Sequence, residues 1–354
     1  MASSPAFCLL LAFLSLLPVA SAVYSDCSLD DESFELRVSK VLAHERWFTP
    51  ADYNRTRGCA AKSIALSWQK AWTSGRKRTQ LFSTEVIRMS QAKATRSEKK
   101  RRFRRRIFLP DDRTCISAKR QAKDYPFSSV VKVSTGCTGT LVAPKYVLTA
   151  AHCIHNGSHY LPGHRNLYVG FLRPKGTFRW VKVERTFLPF GWRLHEYRNI
   201  GPQYDYAVLA LATRLRRDPI PIGLAHLSGT TNLPHIYFSA YPDDKPGNSL
   251  CYRSCSITRY NTELLYFTCD AMPGSSGAGV YTFIWNPTTR TNERRVIGVF
   301  SGNRYVNIEG ERKNFNVAIR LPSFKFKQVC EWLEGYECKM NETSNKIDSE
   351  ELTT

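Results

Sequence analysis

The sequence has few acidic residues and no apolar run long enough to cross a membrane. It contains 30 Asp and Glu against 51 Lys and Arg in 354 residues, which gives a formal net charge of +21. No stretch beyond the N-terminal segment approaches the ~20 apolar residues that a membrane-spanning helix needs. We therefore expect no stable membrane span and one or two domains.

The excess positive charge is concentrated in one short segment. Residues 96–106 carry eight Lys or Arg and a single Glu. A block of like charge is typical of a solvated, flexible segment. No nucleic-acid recognition motif accompanies it, so we expect no nucleic-acid partner. Heparan sulfate is an anionic polymer that these clustered cations would fit.

The same basic segment also fits a processing site. Arg102-Phe103-Arg104-Arg105 matches the R-x-R-R pattern that secretory-pathway convertases read. An exposed linker is also where proteolysis occurs physically. A solvated linker and a cleaved linker are compatible interpretations, and we favour convertase removal of a propeptide, residues 23–106.

The first 22 residues lack Lys and Arg but otherwise fit a cleaved signal peptide. An apolar segment from Phe7 to Pro18 precedes Ala20-Ser21-Ala22, a cleavage site of the A-x-A type. Of eleven cysteines, ten remain after Cys8 is removed with this segment, which fits disulfide bonding in an oxidising compartment. We predict a secreted, extracellular glycoprotein. Its permissible sequons begin at Asn54, Asn156 and Asn341.

The pattern of apolar residues changes near Phe127. Short strand-like runs broken by Gly and Pro follow, which favours a β-barrel or sandwich. A helix is expected at about 324–333, and residues 339–354 form a polar tail. Before the change, Cys59 to Trp72 has helix-compatible spacing.

Three segments carry the residue types that acyl transfer needs. His152 follows an apolar strand end, Asp205 directly precedes another apolar strand, and Ser276 lies in Gly274-Ser275-Ser276-Gly277. A serine hydroxyl needs a base with a near-neutral pKa, and that histidine needs a buried carboxylate. The N–H groups of Gly274 and Ser276 would bind the developing oxyanion.

Each of these residues also has a structural interpretation. An Asp before a strand is commonly a turn cap, and Gly-Ser-Ser-Gly is common in linkers. Their occurrence together with His152 favours the catalytic interpretation. The neighbouring His155, His159 and His164 lie in a polar loop and are expected at the surface.

These segments resemble the chymotrypsin-fold serine peptidases. The resemblance spans about Tyr125 to Cys338 and includes Thr149–Cys153, Asp205–Leu209 and Gly-x-Ser-Gly. It implies an all-β double barrel with a C-terminal helix, a peptidase domain at 107–338, and protein or peptide substrates. It implies no cofactor and no metal ion.

The cysteine pairs follow in part from this resemblance. Cys137 and Cys153 flank the histidine segment and would clamp two strand ends. The resemblance also implies Cys255–Cys269 and Cys330–Cys338. The pairing of four further cysteines stays open, a cross-link between propeptide and domain included: Cys27, Cys59, Cys115 and Cys251.

One position departs from the family pattern. Ser275 stands where related enzymes have an Asp, which binds the N-terminal ammonium that activation cleavage creates. We therefore do not expect Ile107 to act as an inserted activating terminus.

The residues that would decide substrate specificity are less certain from the sequence. Asp270 stands where the base of the primary pocket is expected, which would favour Arg or Lys at the cleaved bond. An Asp that accepts N–H groups of a turn is the equal alternative. Ser301 and Gly302 are expected to pair with the substrate backbone.

The sequence thus supports an active serine endopeptidase that works through an acyl-enzyme and is made as a zymogen. The alternative is a catalytically impaired pseudoprotease that acts as a secreted binding protein. A weaker third hypothesis is a heparin-binding factor that acts through residues 96–106.

Overall fold

The computed structural model describes residues 38–41, 68–84, 108, 111–116, 119–193, 202–225, 227, 233–246 and 248–334. The predicted signal peptide at 1–22, the basic segment at 96–106 and the tail at 339–354 lie outside the described residues. So do Cys27, Cys59, Cys338, Asn54 and Asn341.

Two antiparallel sheets make up most of the described chain. The first contains β1 (Val38–Val41), β2 (Trp68–Trp72), β3 (Lys77–Thr84), β5 (Val130–Val133), β6 (Thr138–Ala143), β7 (Tyr146–Thr149), β8 (Tyr168–Leu172), β9 (Phe178–Pro189) and β10 (Ala207–Leu211). The second contains β4 (Thr114–Cys115), β11 (His235–Ala240), β12 (Cys251–Tyr260), β13 (Leu264–Phe267), β14 (Gly279–Asn286), β15 (Thr291–Ile308) and β16 (Glu311–Arg320). The described helices are α1 (Phe190–Arg193) and α2 (Ser323–Trp332).

Each sheet closes on itself. The first has the order β1-β3-β2-β9-β10-β7-β6-β5-β8, and β8 also pairs with β9. The second has the order β11-β14-β15-β16-β13-β12-β4, and β11 also pairs with β12. Each closure yields a six-stranded barrel without a free edge along that ring. The predicted all-β double barrel with a C-terminal helix is therefore confirmed.

Strands β7 and β10 form the centre of the first barrel. Every residue of both strands is buried, so their sequences do not alternate between apolar and polar residues. They pair antiparallel, with Leu148 opposite Val208. This pairing brings the end of β7 beside the start of β10, and His152 and Asp205 lie just beyond those two points.

Helix α2 packs against the first barrel through Trp332. The Trp332 ring lies 5.6 Å from the Tyr206 ring and 6.1 Å from both the Phe187 and Trp68 rings. Aromatic pairs at these separations add to the free energy gained from burying their apolar area. The C-terminal helix is thereby fixed against the chain segment that contains Asp205.

Strand β2 lies inside the region predicted as a propeptide. The helix predicted from the spacing of Cys59–Trp72 is wrong over residues 68–72, which pair with β9. A helical apolar pattern is overridden here because tryptophans fit a half-buried sheet surface and β9 offers an unpaired side. Processing near residue 106 stays a prediction, but the sheet of the first barrel already includes residues 68–84.

His155 is buried, so its predicted surface position is wrong. Its side chain is 1% exposed, and Nδ1 accepts the N–H of Gly157 at 3.0 Å. The ring meets the Tyr160 ring edge-on at 4.8 Å. Burial, with added repulsion from Arg193 and Lys77, lowers the pKa of His155 to about 3.

The buried His155 should make the fold sensitive to acid. Its pKa is about 3 when folded and about 6.5 when unfolded, so its stabilising contribution is complete above 6.5 and is lost as the pH falls toward 3. We expect His155→Gln to reduce the loss in unfolding free energy between pH 7 and pH 4 by on the order of 2 kcal/mol. Urea denaturation at both pH values measures this.

Ser158→Ala, three residues away in the same loop, provides the control. It changes no titratable group, so the loss in unfolding free energy between pH 7 and pH 4 should equal that of the unsubstituted protein. An unchanged pH dependence in His155→Gln would contradict the role given to the buried ring.

Candidate active site

His152 is placed by a strand end and a disulfide. Strand β7 ends at Thr149, and a short 3-10 turn over Ala151–Cys153 presents the imidazole. Cys153 is bonded to Cys137, which confirms that predicted pair. The two sulfurs lie near His152 but are bonded to each other, so they are not thiolate ligands for a metal ion.

Asp205 is a buried carboxylate that accepts several hydrogen bonds. It is 2% exposed, Oδ1 accepts the backbone N–H of His152 at 2.8 Å, and Oδ2 lies 2.7 Å from His152 Nδ1. The Ser301 hydroxyl donates to Oδ2 at 2.5 Å. Burial alone would raise the pKa of Asp205, but the charge of His152 and these hydrogen bonds outweigh it, and the pKa is lowered.

Helix α2 makes hydrogen bonds to residues on both sides of Asp205. The Lys325 ammonium donates to the Gln203 carbonyl at 2.8 Å, and the Tyr206 hydroxyl donates to Gln328 Oε1 at 2.5 Å. Lys325 is fully buried and also forms an ion pair with Glu263. Burial lowers the pKa of Lys325, while the Glu263 charge opposes that change.

Ser276 completes a hydrogen-bonded series with His152 and Asp205. Ser276 Oγ lies 2.6 Å from His152 Nε2 and 3.4 Å from the Ser301 carbonyl oxygen. The three predicted residues are thus brought together from three separate segments. The imidazole stands between an acceptor on one nitrogen and a hydroxyl on the other, which is the geometry of a general base.

Two glycines shape the turn that contains Ser276. Gly274 has φ +91° and Gly277 has φ +83°, both in the region that side chains disfavour. A Cβ at Gly274 would lie 2.2 Å from the Tyr241 carbonyl oxygen, and one at Gly277 would lie 2.1 Å from Thr149 Oγ1. Only glycine fits at either position, so the turn depends on both.

The N–H groups of Gly274 and Ser276 are oriented by the carbonyl groups of the same peptide bonds. The N–H of Asp243 donates to the Pro273 carbonyl at 2.7 Å, and the N–H of Ala278 donates to the Ser275 carbonyl at 3.1 Å. In a planar trans peptide the N–H points away from its carbonyl. Within the described part of the chain, the N–H groups of Gly274 and Ser276 have no acceptor, so they are available to an oxyanion.

Neutral groups hold the turn where an ion pair is expected in the family pattern. Thr138 Oγ1 donates to the Gly274 carbonyl at 2.7 Å and accepts the N–H of Tyr241 at 3.0 Å. Ser275 is buried, and its N–H donates to the Met272 carbonyl at 3.0 Å. The position before Ser276 therefore sits in a packed, hydrogen-bonded turn without any charge of its own.

Asp270 is occupied by the chain rather than open to a substrate. It is 1% exposed, Oδ1 accepts the N–H of Phe108 at 2.5 Å, and Oδ2 accepts the N–H of Asp112 at 3.0 Å. Burial raises the pKa of Asp270, against the hydrogen bond from Phe108. This geometry is the structural alternative considered for Asp270, and its role at the base of a primary pocket stays a prediction.

Several contacts fix the segment that covers Asp270. Asp112 forms an ion pair with Arg253, and Arg113 lies 2.8 Å from Asp111 and 2.5 Å from Asp244. Cys115 in β4 is bonded to Cys251 in β12, a pair that the sequence left open.

Ser301 has a role that the sequence interpretation missed. The register of β15 against β16 shifts between Phe300 and Gly302, which is a β-bulge at Ser301. A bulge re-aims a side chain, and here the hydroxyl points to Asp205. Gly302 is buried opposite Val317. Pairing of Ser301 and Gly302 with a substrate backbone stays a prediction.

The remaining predicted sites have mixed outcomes. Cys255–Cys269 is confirmed, and Cys330 is disulfide-bonded while its predicted partner Cys338 lies outside the described residues. Asn156 is exposed, and its side-chain oxygen accepts the N–H of Ser158. No helix among the described residues is both long and apolar enough to cross a membrane.

Comparison with known proteins gives consistent matches. Residues 115–269 match the family model described as Trypsin. Serine protease 23 of Bos taurus is 40% identical over 287 residues, which cover 76% of this chain and 76% of that protein. Inactive serine protease 35 of Mus musculus is 33% identical over 66% of this chain and 69% of that protein. A solved structure of a Glu endopeptidase aligns at TM-score 0.49 and 22% identity, over 64% of this chain and 98% of that one.

Loss of the Thr138 hydroxyl should impair the turn without unfolding the protein. Thr138→Val keeps the side-chain shape but removes the bond to the Gly274 carbonyl. We expect the rate of covalent modification of Ser276 by a fluorophosphonate to fall roughly 10-fold, less than for a lost oxyanion donor because the effect is indirect.

The matched control is Thr282→Val, in which a buried hydroxyl loses its bond to the His235 carbonyl in the second barrel. Thr282→Val should lower the melting temperature about as much as Thr138→Val does. Its modification rate should stay within about twofold of that of the unsubstituted protein. Equal modification rates in the two variants would contradict the role of Thr138.

Proposed function

The chain belongs to the trypsin family of serine peptidases, and we propose that it is an active serine endopeptidase, secreted and made as a zymogen. The observation that carries this proposal is the hydrogen-bonded series from Asp205 through His152 to Ser276. The oriented N–H groups of Gly274 and Ser276 add the second requirement of acyl transfer.

In the first half of the reaction, Ser276 Oγ attacks the carbonyl carbon of the scissile peptide bond. His152 Nε2 accepts the hydroxyl proton, and the ionised Asp205 stabilises the imidazolium and keeps it in the required orientation. The negative charge that develops on the carbonyl oxygen is bound by the two N–H groups of the turn. His152 then donates its proton to the leaving amine, and the acyl group stays on Ser276.

In the second half, water takes the place of the amine. His152 removes a proton from the water, which attacks the ester carbon, and the same oxyanion donors bind the second tetrahedral intermediate. Collapse of this intermediate breaks the bond to Ser276 Oγ, and His152 returns the proton to the serine. The carboxylic acid product leaves, and the residues regain their starting protonation.

Secretion and zymogen processing are supported by the sequence. A signal peptide at 1–22 and a convertase site at Arg102–Arg105 fit a protein processed in the secretory pathway. The three disulfides of the described chain fit an oxidising compartment. We propose protein or peptide substrates, in keeping with the family.

A second candidate function is favoured by one specific observation. The carboxylate of Asp270 is covered by the segment that begins at Phe108, and this chain is similar to proteins named Inactive serine protease 35. A folded chain with these residues in place but no reaction at Ser276 would be a secreted binding protein.

Labelling with a fluorophosphonate separates the two functions. We expect the unsubstituted protein, cut at residues 102–106, to be labelled at Ser276. Ser276→Ala should abolish labelling, because the nucleophile is gone, and His152→Ala should slow it by at least roughly 10³-fold. Mass spectrometry of the labelled peptide identifies the modified residue.

Ser275→Ala is the matched control, since it removes a neighbouring hydroxyl from the same turn. It should remain labelled. Labelling that persists in Ser276→Ala, or cut and folded protein that ignores the probe, would overturn the endopeptidase proposal.

A further inference from the structure

Strand β2 continues the first barrel although it precedes the predicted cleavage site. Its five residues pair antiparallel with β9, from Trp68 opposite Pro189 to Trp72 opposite Arg185. On its other side, this stretch of β9 pairs with β10. Without β2, the segment 185–189 would be an open sheet edge with unpaired N–H and C=O groups.

Three side chains of β2 are buried: those of Trp68, Gln69 and Ala71. Trp68 is 7% exposed and belongs to the main core, with its ring 5.6 Å from the Phe187 ring and 6.1 Å from the Trp332 ring. Ala71 is 1% exposed. Removal of the strand would expose to water the parts of the Phe187 and Trp332 rings that Trp68 contacts, which the hydrophobic effect opposes.

Polar contacts of β2 reach separate parts of the domain. Gln69 is 1% exposed, and its Oε1 accepts the Tyr160 hydroxyl at 3.1 Å. The Lys70 ammonium lies 5.2 Å from the Phe187 ring centre and forms an ion pair with Glu334, just after α2. The strand therefore connects the loop after His152 with the end of the C-terminal helix.

We propose that residues 68–84 stay bound to the peptidase domain after cleavage near residue 106, as the light chain of a two-chain enzyme. The binding surface is the outer side of β9, and its partner is the β2–β3 hairpin of the same chain. A strand that adds to a sheet edge through backbone pairing and buried alternate side chains is a known mode of stable recognition. This part of the predicted propeptide would then be a folded part of the domain and would not dissociate after cleavage.

The retention of residues 68–84 rests on the proposed zymogen cleavage, but it can be tested without measuring peptidase activity. Arg102–Arg105 is replaced by the recognition sequence of a site-specific protease, and the full chain is cut with that protease. The experiment is run with and without Ser276→Ala, so that loss of catalysis and loss of binding are seen separately.

Size-exclusion chromatography of the cut protein is the readout. We expect one peak that yields two bands on a reducing gel, because the hairpin stays on β9. Separate elution of the N-terminal fragment would overturn the proposal.

Two carboxylate substitutions three residues apart test the strand itself. Ala71→Glu places a charge on the buried face of β2 and should release at least half of the N-terminal fragment after cutting. Ser74→Glu places the same group in the exposed turn before β3 and should leave the fragment bound. Fragments that co-elute in the cut Ala71→Glu protein would overturn the proposal, because the pairing of β2 with β9 would then not be what holds them together.

A second measurement applies if Ala71→Glu does not fold. Hydrogen exchange of the cut, otherwise unsubstituted protein reports the amides of residues 185–188 in β9. We expect the same protection before and after the cut. Protection lost on cutting would show that β2 had left the edge and would overturn the proposal.

Discussion

The buried carboxylate of Asp205 is the constraint on which the rest of the site depends. A charge that is 2% exposed is tolerated only when its oxygens accept well-placed hydrogen bonds. Two donors come from His152 beside the first barrel, and the third comes from Ser301 on the second barrel. The two barrels therefore meet at one satisfied charge, and the orientation of the imidazole follows from it.

The surroundings of Asp205 extend this constraint to the C-terminal helix and to β2. Lys325 binds the Gln203 carbonyl, Gln328 accepts the Tyr206 hydroxyl, and Trp332 packs on the Tyr206 ring. The same Trp332 contacts Trp68 of β2. A residue far upstream of the predicted cleavage point is thus one aromatic contact away from the element that positions Asp205.

The turn around Ser276 reaches the expected catalytic geometry with neutral groups. Thr138 and Asp243 hold the carbonyls of Gly274 and Pro273, and Ser275 contributes no charge. Because these hydrogen bonds are present in the uncut chain, we predict that the oxyanion donors need no ammonium released by cleavage.

The sequence revealed the parts of the site that depend on local patterns. His152, Asp205 and Ser276 stand in short segments whose strand ends and glycines can be recognised one by one, and the double barrel follows from many short strands. The Ser301 hydroxyl was missed because its direction depends on a bulge between β15 and β16. Strand β2 and the burial of His155 were missed because each depends on contacts with residues distant in sequence.

A crystal structure of the uncut protein, covalently phosphonylated at Ser276, would show whether the oxyanion site is formed without an activating ion pair at position 275. We expect a phosphonyl oxygen at about 2.7–3.1 Å from the nitrogens of both Gly274 and Ser276, with the Thr138 to Gly274 hydrogen bond intact. A phosphonyl oxygen turned to solvent, or a Pro273–Gly274 peptide flipped away from it, would mean that the site is not formed in the uncut protein.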